Sequence, residues 1–131
     1  VNTGIVSAAI QTSAVEVEVR AAFDQYESAL MANDVDTMDG FFWDSSEVVR
    51  FGIADEQWGS GQVRRWRASA APVPAGRKLD RTQVTVLSPD TTIVTTLFTY
   101  PGRDGHGRQS QTWFRVGGSW KIVNAHVSEI G

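Results

Sequence analysis

AFDQYESALMANDVDTMDGFFWDSSEVVRFGIADEQWG, Ala22 to Gly59, is the stretch around which the chain is organised. It opens inside a helix that carries Tyr26, crosses a polar break at Asn33-Asp34, and runs through an aromatic knot, Phe41-Phe42-Trp43. It then reaches a short β-like run, Val48-Val49-Arg50-Phe51, in which one charge sits among apolar neighbours. Burying a guanidinium requires an anion or a carboxylate beside it. A tyrosine on a helix and an arginine in an apolar strand are what a pocket for a small anion needs.

Upstream, Val15, Val19, Ala22, Tyr26 and Leu30 recur at helical spacing. Ser13 with Glu16 has capping-box spacing, so the first helix is expected to begin there, behind a loose arm over residues 1–12. Asn33-Asp34 ends that helix and caps a second, short one that buries Met38, Phe41 and Phe42. After Gly59-Ser60-Gly61 a third helix places Val63, Trp66 and Ala70 on one side. Arg64, Arg65 and Arg67 read as its solvated face, and Pro72 and Pro74 stop it.

The second half is strand-like. Arg81–Leu87 alternates, and Thr91–Tyr100 is β-branched and aromatic almost throughout, the pattern of a strand covered on both faces. Arg108–Val116 and Trp120–Ile130 flank a Gly117-Gly118 hairpin turn. Helices followed by an antiparallel meander make an α+β domain, here a single one over residues 1–131. The second face of Thr91–Tyr100 has no helix of its own to cover it, so a homodimer through the convex sheet face is expected.

Composition narrows the function. The 131 residues carry a net charge of −3, which gives a nucleic-acid role no global electrostatic support. There is no cysteine, which excludes a thiol nucleophile, a disulfide framework and Cys-ligated metals. His106 and His126 belong to no metal-ligand spacing, and no metal or cofactor is expected. No apolar run approaches the roughly 20 residues of a membrane span and no signal segment opens the chain, so a cytoplasmic location is expected. Neither a GxSxG elbow nor a P-loop is present.

Each of these candidate residues has a structural reading beside a functional one. Tyr26 is a core aromatic or a donor aimed into a cavity. Arg50 is half of an internal ion pair with a nearby Asp or Glu, an edge residue, or a fork that grips a substrate carboxylate. Gln109, Gln111 and Trp113 share one face of their strand, where Gln111 can pair with an amide and Trp113 can exclude water; exposed sheet residues look the same. His126 shares a face with Trp120 and Ile122 if alternation is regular, although a bulge resets that parity. It is placed at the pocket; a structural histidine is the other reading.

Three helices before a curved meander resemble the cone-shaped, cystatin-like fold of the nuclear-transport-factor-2-like, or SnoaL-like, superfamily, from about Val15 to Ile130. Set beside the ketosteroid isomerases of that superfamily, Tyr26 matches their oxyanion-binding tyrosine, but Arg50 stands where their general base would be. An arginine cannot abstract a proton at neutral pH, so the fold carries over and the isomerase chemistry does not. VVRFGIADEQWG, GRQSQTW and IVNAHVS, in that order, are similar to the AtzH-like family, which includes oxalurate-catabolism and dicarboxyurea-hydrolase-like proteins. That resemblance implies a metal-free, decarboxylating amidohydrolase acting on a small ureido acid, with Tyr26 and Arg50 as the catalytic pair. Trp58, Gln111, Trp113 and His126 are the expected substrate-binding residues. A non-catalytic small-carboxylate binding or assembly domain of the same fold is the alternative.

Overall fold

The computed structural model describes residues 3–131, with side chains described from Gln11 onward. Helix α1 spans Thr3–Ala32, longer than its capping signal implies. The helix runs through Ser13 and Glu16, so the arm expected over 1–12 is helical from Thr3; residues 1 and 2 lie outside the described residues. No proline or glycine interrupts the segment from Ile5 to Asn33, and Ala8 and Ala9 favour helix, so nothing local stops it. It ends where Asn33 turns left-handed, at φ 52°, and the Asp34 N–H bonds the Ala29 carbonyl.

Asp34 then caps α2, Val35–Phe41: its carboxylate accepts from the Thr37 N–H at 3.2 Å and the Thr37 hydroxyl at 2.7 Å. Strands β1 (Val49–Phe51) and β2 (Glu56–Trp58) form a hairpin that precedes α3, Ser60–Ser69. Strands β3 (Lys78–Ser88), β4 (Thr91–Thr99), β5 (His106–Val116) and β6 (Ser119–Ile130) make the expected meander. The sheet order is β2-β1-β6-β5-β4-β3. One join departs from the antiparallel expectation: β1 pairs with β6 in parallel, Arg50 opposite Ala125. That join closes the sheet around the strand that carries Arg50.

The helices lie on the inner face. Val15, Val19, Phe23, Tyr26 and Leu30 of α1 meet Val94, Trp113 and Ile122 of the sheet in one core, with Met38 and Phe42 below them. Burying each such side chain contributes about 1.5–3 kcal/mol, which is why the period-3.6 stripe decides how α1 sits. Gly107 has a packing reason to lack a side chain, because a Cβ there would run into the Phe98 ring.

Two expectations change. Thr92, Val94, Thr96 and Phe98 of β4 are buried, but Thr95 on the other face is exposed and Ile93 and Leu97 are half-buried. Within one chain, then, β4 is covered on one side. The pairing of β5 with β6 slips between Thr112 and Trp113, where Val123 is bulged out. The bulge resets parity, so Trp120, Ile122, Ala125 and Val127 all turn inward and His126 turns out.

Candidate functional site

A cavity of about 200 Å³ lies between the helices and the inner face of the sheet. It is smaller than the roughly 300–1,000 Å³ of drug-sized sites, which suits a small acid. Tyr26, Arg50, Gln111, Trp66 and Arg67 all line it. Three of these were singled out in the sequence, and the fold brings them together: α1 delivers Tyr26, β1 delivers Arg50 and β5 delivers Gln111 to one space.

Arg50 is 8% exposed and held by its neighbours. Its Nη1 donates to Asp55 Oδ1 and to Gln57 Oε1, both at 2.7 Å, and Gln57 Nε2 donates to Asp55 at 2.8 Å. Gln57 stands directly across the β1–β2 ladder from Arg50, and Gly52 leaves the room that the Asp55 carboxylate occupies. The guanidinium also lies 3.8 Å over the Trp66 ring. The internal ion pair and the pocket-facing arginine are thus the same residue: one nitrogen is anchored, while Nε and Nη2 have no hydrogen-bond partner among the described residues. Burial holds the Arg50 guanidinium below its usual pKa; Tyr26 and Asp55 pull it upward, and the nearby Arg67 charge pushes it down. It remains a cation at neutral pH.

Arg67 corrects the reading of α3. It is not on a solvated face but 6% exposed, one turn beyond the buried Val63. Its Nη2 donates to the Tyr26 hydroxyl at 2.9 Å, and its guanidinium lies 4.7 Å over the same Trp66 ring. Tyr26 therefore accepts one bond and keeps its own proton free to donate. Its ring is fixed by edge contacts to Phe41, Phe42 and Trp113. Asp39 is half-buried nearby, with Oδ1 buried and unbonded. Burial raises its carboxyl pKa, and the charges of Arg67 and Arg64 partly offset that rise.

The far side of the cavity is a second cluster. Arg77 bonds Glu27 through Nε at 2.9 Å and Nη2 at 3.4 Å, with side chains 3% and 6% exposed. Gln109 ties both together, donating to Glu27 at 3.1 Å and accepting from Arg77 at 3.1 Å, while Arg77 also donates to the Tyr100 hydroxyl. Burial alone would lower the Arg77 pKa; the Glu27 and Tyr100 bonds and charges outweigh it and leave it raised.

Three expected residues do not line the cavity. Trp113 is fully buried behind Tyr26, and its Nε1 donates to Gln111 Oε1 at 3.1 Å. It orients Gln111, whose NH₂ group has no partner among the described residues. Trp58 is 56% exposed on the edge strand, with Phe51 against it. His126 is exposed on the outer face, its ring 5.8 Å from Phe51. Of the residues the sequence reading missed, Arg67 and Glu27 carried a signal: each falls on its helix's buried stripe, four residues beyond Val63 and Phe23 respectively. Asp55, Gln57 and Arg77 lie in segments too short or irregular to show a period.

Among the described residues no group of His, Asp and Glu side chains is arranged to hold a metal, and no helix is long and apolar enough to cross a membrane. Helices on the inner face of a curved sheet, closing over a cationic pocket, define a cystatin-like, nuclear-transport-factor-2-like protein. The chain belongs to the AtzH-like family, which it matches over residues 8–131. It is 46% identical to a cystatin-like fold protein of Burkholderia xenovorans, with a TM-score of 0.86 over 89% of this chain and 92% of that one. A protein of unknown function from Pectobacterium atrosepticum is 37% identical, with a TM-score of 0.85 over 89% and 91% of the two chains. A nuclear-transport-factor-2-like protein of Pseudomonas putida, 18% identical with a TM-score of 0.76 over 88% and 87%, shares the fold. No curated protein matches the chain.

Proposed function

We propose that the protein hydrolyses the C–N bond of a small carboxylated urea or an oxalurate-like acid, without a metal. The observation that carries this reading is that Tyr26 and Arg50, one with a free proton and one with free N–H groups, line the same small cavity. Membership of the AtzH-like family supports it.

Arg50 holds the substrate carboxylate through Nε and Nη2, a two-point contact strengthened by the low polarity of the pocket. Gln111 offers its NH₂ group to the substrate's amide oxygen, with Trp113 behind it as the support. Water adds to the carbonyl carbon, since no cysteine is present and no serine has an evident base. As the C–N bond breaks, Tyr26 passes its proton to the leaving nitrogen, and the proton released by the water restores the phenol. The Arg67 guanidinium beside the Tyr26 oxygen stabilises the negative charge that the phenol carries between those two transfers. Where the product is an N-carboxylate, it loses CO₂ afterwards. The half-buried Ile93 and Leu97 on the outer face support a homodimer as the working form.

The second reading is a carboxylate-binding domain without turnover. The Arg50–Asp55 ion pair favours it, because it already neutralises much of the charge a reaction would use. Incubation of the protein with oxalurate and with N-carboxyurea, followed by NMR, separates the two. Loss of substrate with release of the amine fragment supports hydrolysis; binding without conversion supports the second reading.

A further inference from the structure

The cavity's cationic lining is unevenly balanced. Arg50 has Asp55 and Arg77 has Glu27 within ion-pair distance. Among the described residues Arg67 alone of the buried arginines has no carboxylate partner. Its one hydrogen bond goes to a neutral phenol, and its Nε is buried without any acceptor. Asp39 is close enough for the charges to influence one another, yet no ion pair forms and Asp39 Oδ1 is itself unbonded. Arg67 also shares the Trp66 ring with Arg50, which sets two guanidinium groups beside one indole. Two neighbouring buried cations, one of them uncompensated, repel each other until an anion lies against both.

We propose that Arg67 is a ligand-binding residue: a carboxylate in the cavity is shared between Arg50 and Arg67 across the Trp66 edge, and Arg67 supplies the unbalanced charge that draws it in. Because Arg67 also bonds the Tyr26 oxygen, the bound anion is brought beside the phenol's free proton. This deepens the reading of the pocket as an anion site and rests on that part of it, but it does not require turnover.

The test uses malonate, a small dicarboxylate with no C–N bond to hydrolyse, titrated calorimetrically into the full chain and its variants, beside apo melting curves. Wild type is expected to bind malonate. Arg67→Met, which keeps the side chain's bulk, is expected to lose roughly a hundredfold or more in affinity while its apo melting midpoint stays at or above that of wild type. Arg67→Lys, which keeps the charge but not the planar fork, is expected to weaken binding to a smaller degree. Malonate affinity unchanged in Arg67→Met, or in Arg67→Lys should the methionine variant fail to fold, overturns the proposal. So does a wild type that does not bind malonate. An apo midpoint that falls in Arg67→Met while its affinity is retained makes Arg67 a structural donor to Tyr26. Failure of hydrolysis with malonate binding still dependent on Arg67 removes the enzymatic reading and leaves this one standing.

Discussion

Replacing Glu27 by alanine strips the Arg77 guanidinium, 3% exposed, of the one carboxylate it pairs with among the described residues. What remains around it is neutral: the Tyr100 hydroxyl and the Gln109 carbonyl oxygen, each at 3.1 Å, and the face of Phe98 at 4.0 Å. Leaving such a charge buried and unpaired costs about 3–5 kcal/mol, against a typical total stability of about 5–15 kcal/mol. For 131 residues the unfolding entropy is about 0.28 kcal/mol/K, so the melting midpoint should fall by about 11–18 °C. Removing both charges, as Glu27→Leu with Arg77→Met, should recover about 2 kcal/mol of that loss. Gln109 then lacks its two charged partners, at a residual cost of about 1–3 kcal/mol. Circular dichroism melts of wild type, Glu27→Leu, Arg77→Met and the double variant close the thermodynamic cycle. A midpoint that falls by less than about 4 °C in Glu27→Ala, about 1 kcal/mol, would show that water reaches the pair and that the cluster does not brace the cavity. A double variant no more stable than the worse single one would refute the same reasoning.

Asp34 gives a pH signature. Bonds from the Thr37 hydroxyl and then the Thr37 N–H hold its carboxyl pKa below the ordinary value. A depressed folded pKa adds stability that is complete above the unfolded value and disappears as pH falls through the folded one. The stability advantage of wild type over Asp34→Asn, read from melts across pH, should therefore shrink below about pH 4; an advantage that grows on acidification would contradict the cap. His126→Ala should leave substrate turnover and malonate affinity unchanged, because the ring lies outside the cavity against Phe51. A clear loss of either in a folded variant would place a second site on the outer face.

The fold was legible because its large elements repeat their periods many times. Five residues of α1 mark one stripe, and four long strands are separated by turn residues. Asn33 and Asp34 were legible as a stop and a cap because their chemistry is local. Tyr26 and Arg50 stood out as a phenol on an apolar face and a charge in an apolar strand. The rest depends on contacts that no local window contains. Glu27 meets Gln109 across 82 residues of chain, and Arg67 meets Tyr26 across 41. Arg67 also sat in a basic run whose composition says solvent, while its spacing from Val63 says core; the spacing prevails because the pocket supplies the phenol. A single bulge at Val123 was enough to send His126 to the other face.

Tyr26 and Arg50 are proposed to act on one ligand in one cavity. Steady-state kinetics of wild type, Tyr26→Phe and Arg50→Lys on N-carboxyurea and oxalurate decide whether they do. Wild type should turn over, and kcat should fall roughly a hundredfold or more in Tyr26→Phe, with KM little changed because the ring still fills its place. Arg50→Lys should raise KM as well, because a point charge cannot reproduce the two-point contact. Tyr26→Phe turning over at the wild-type rate would make the tyrosine a core residue with no part in the reaction.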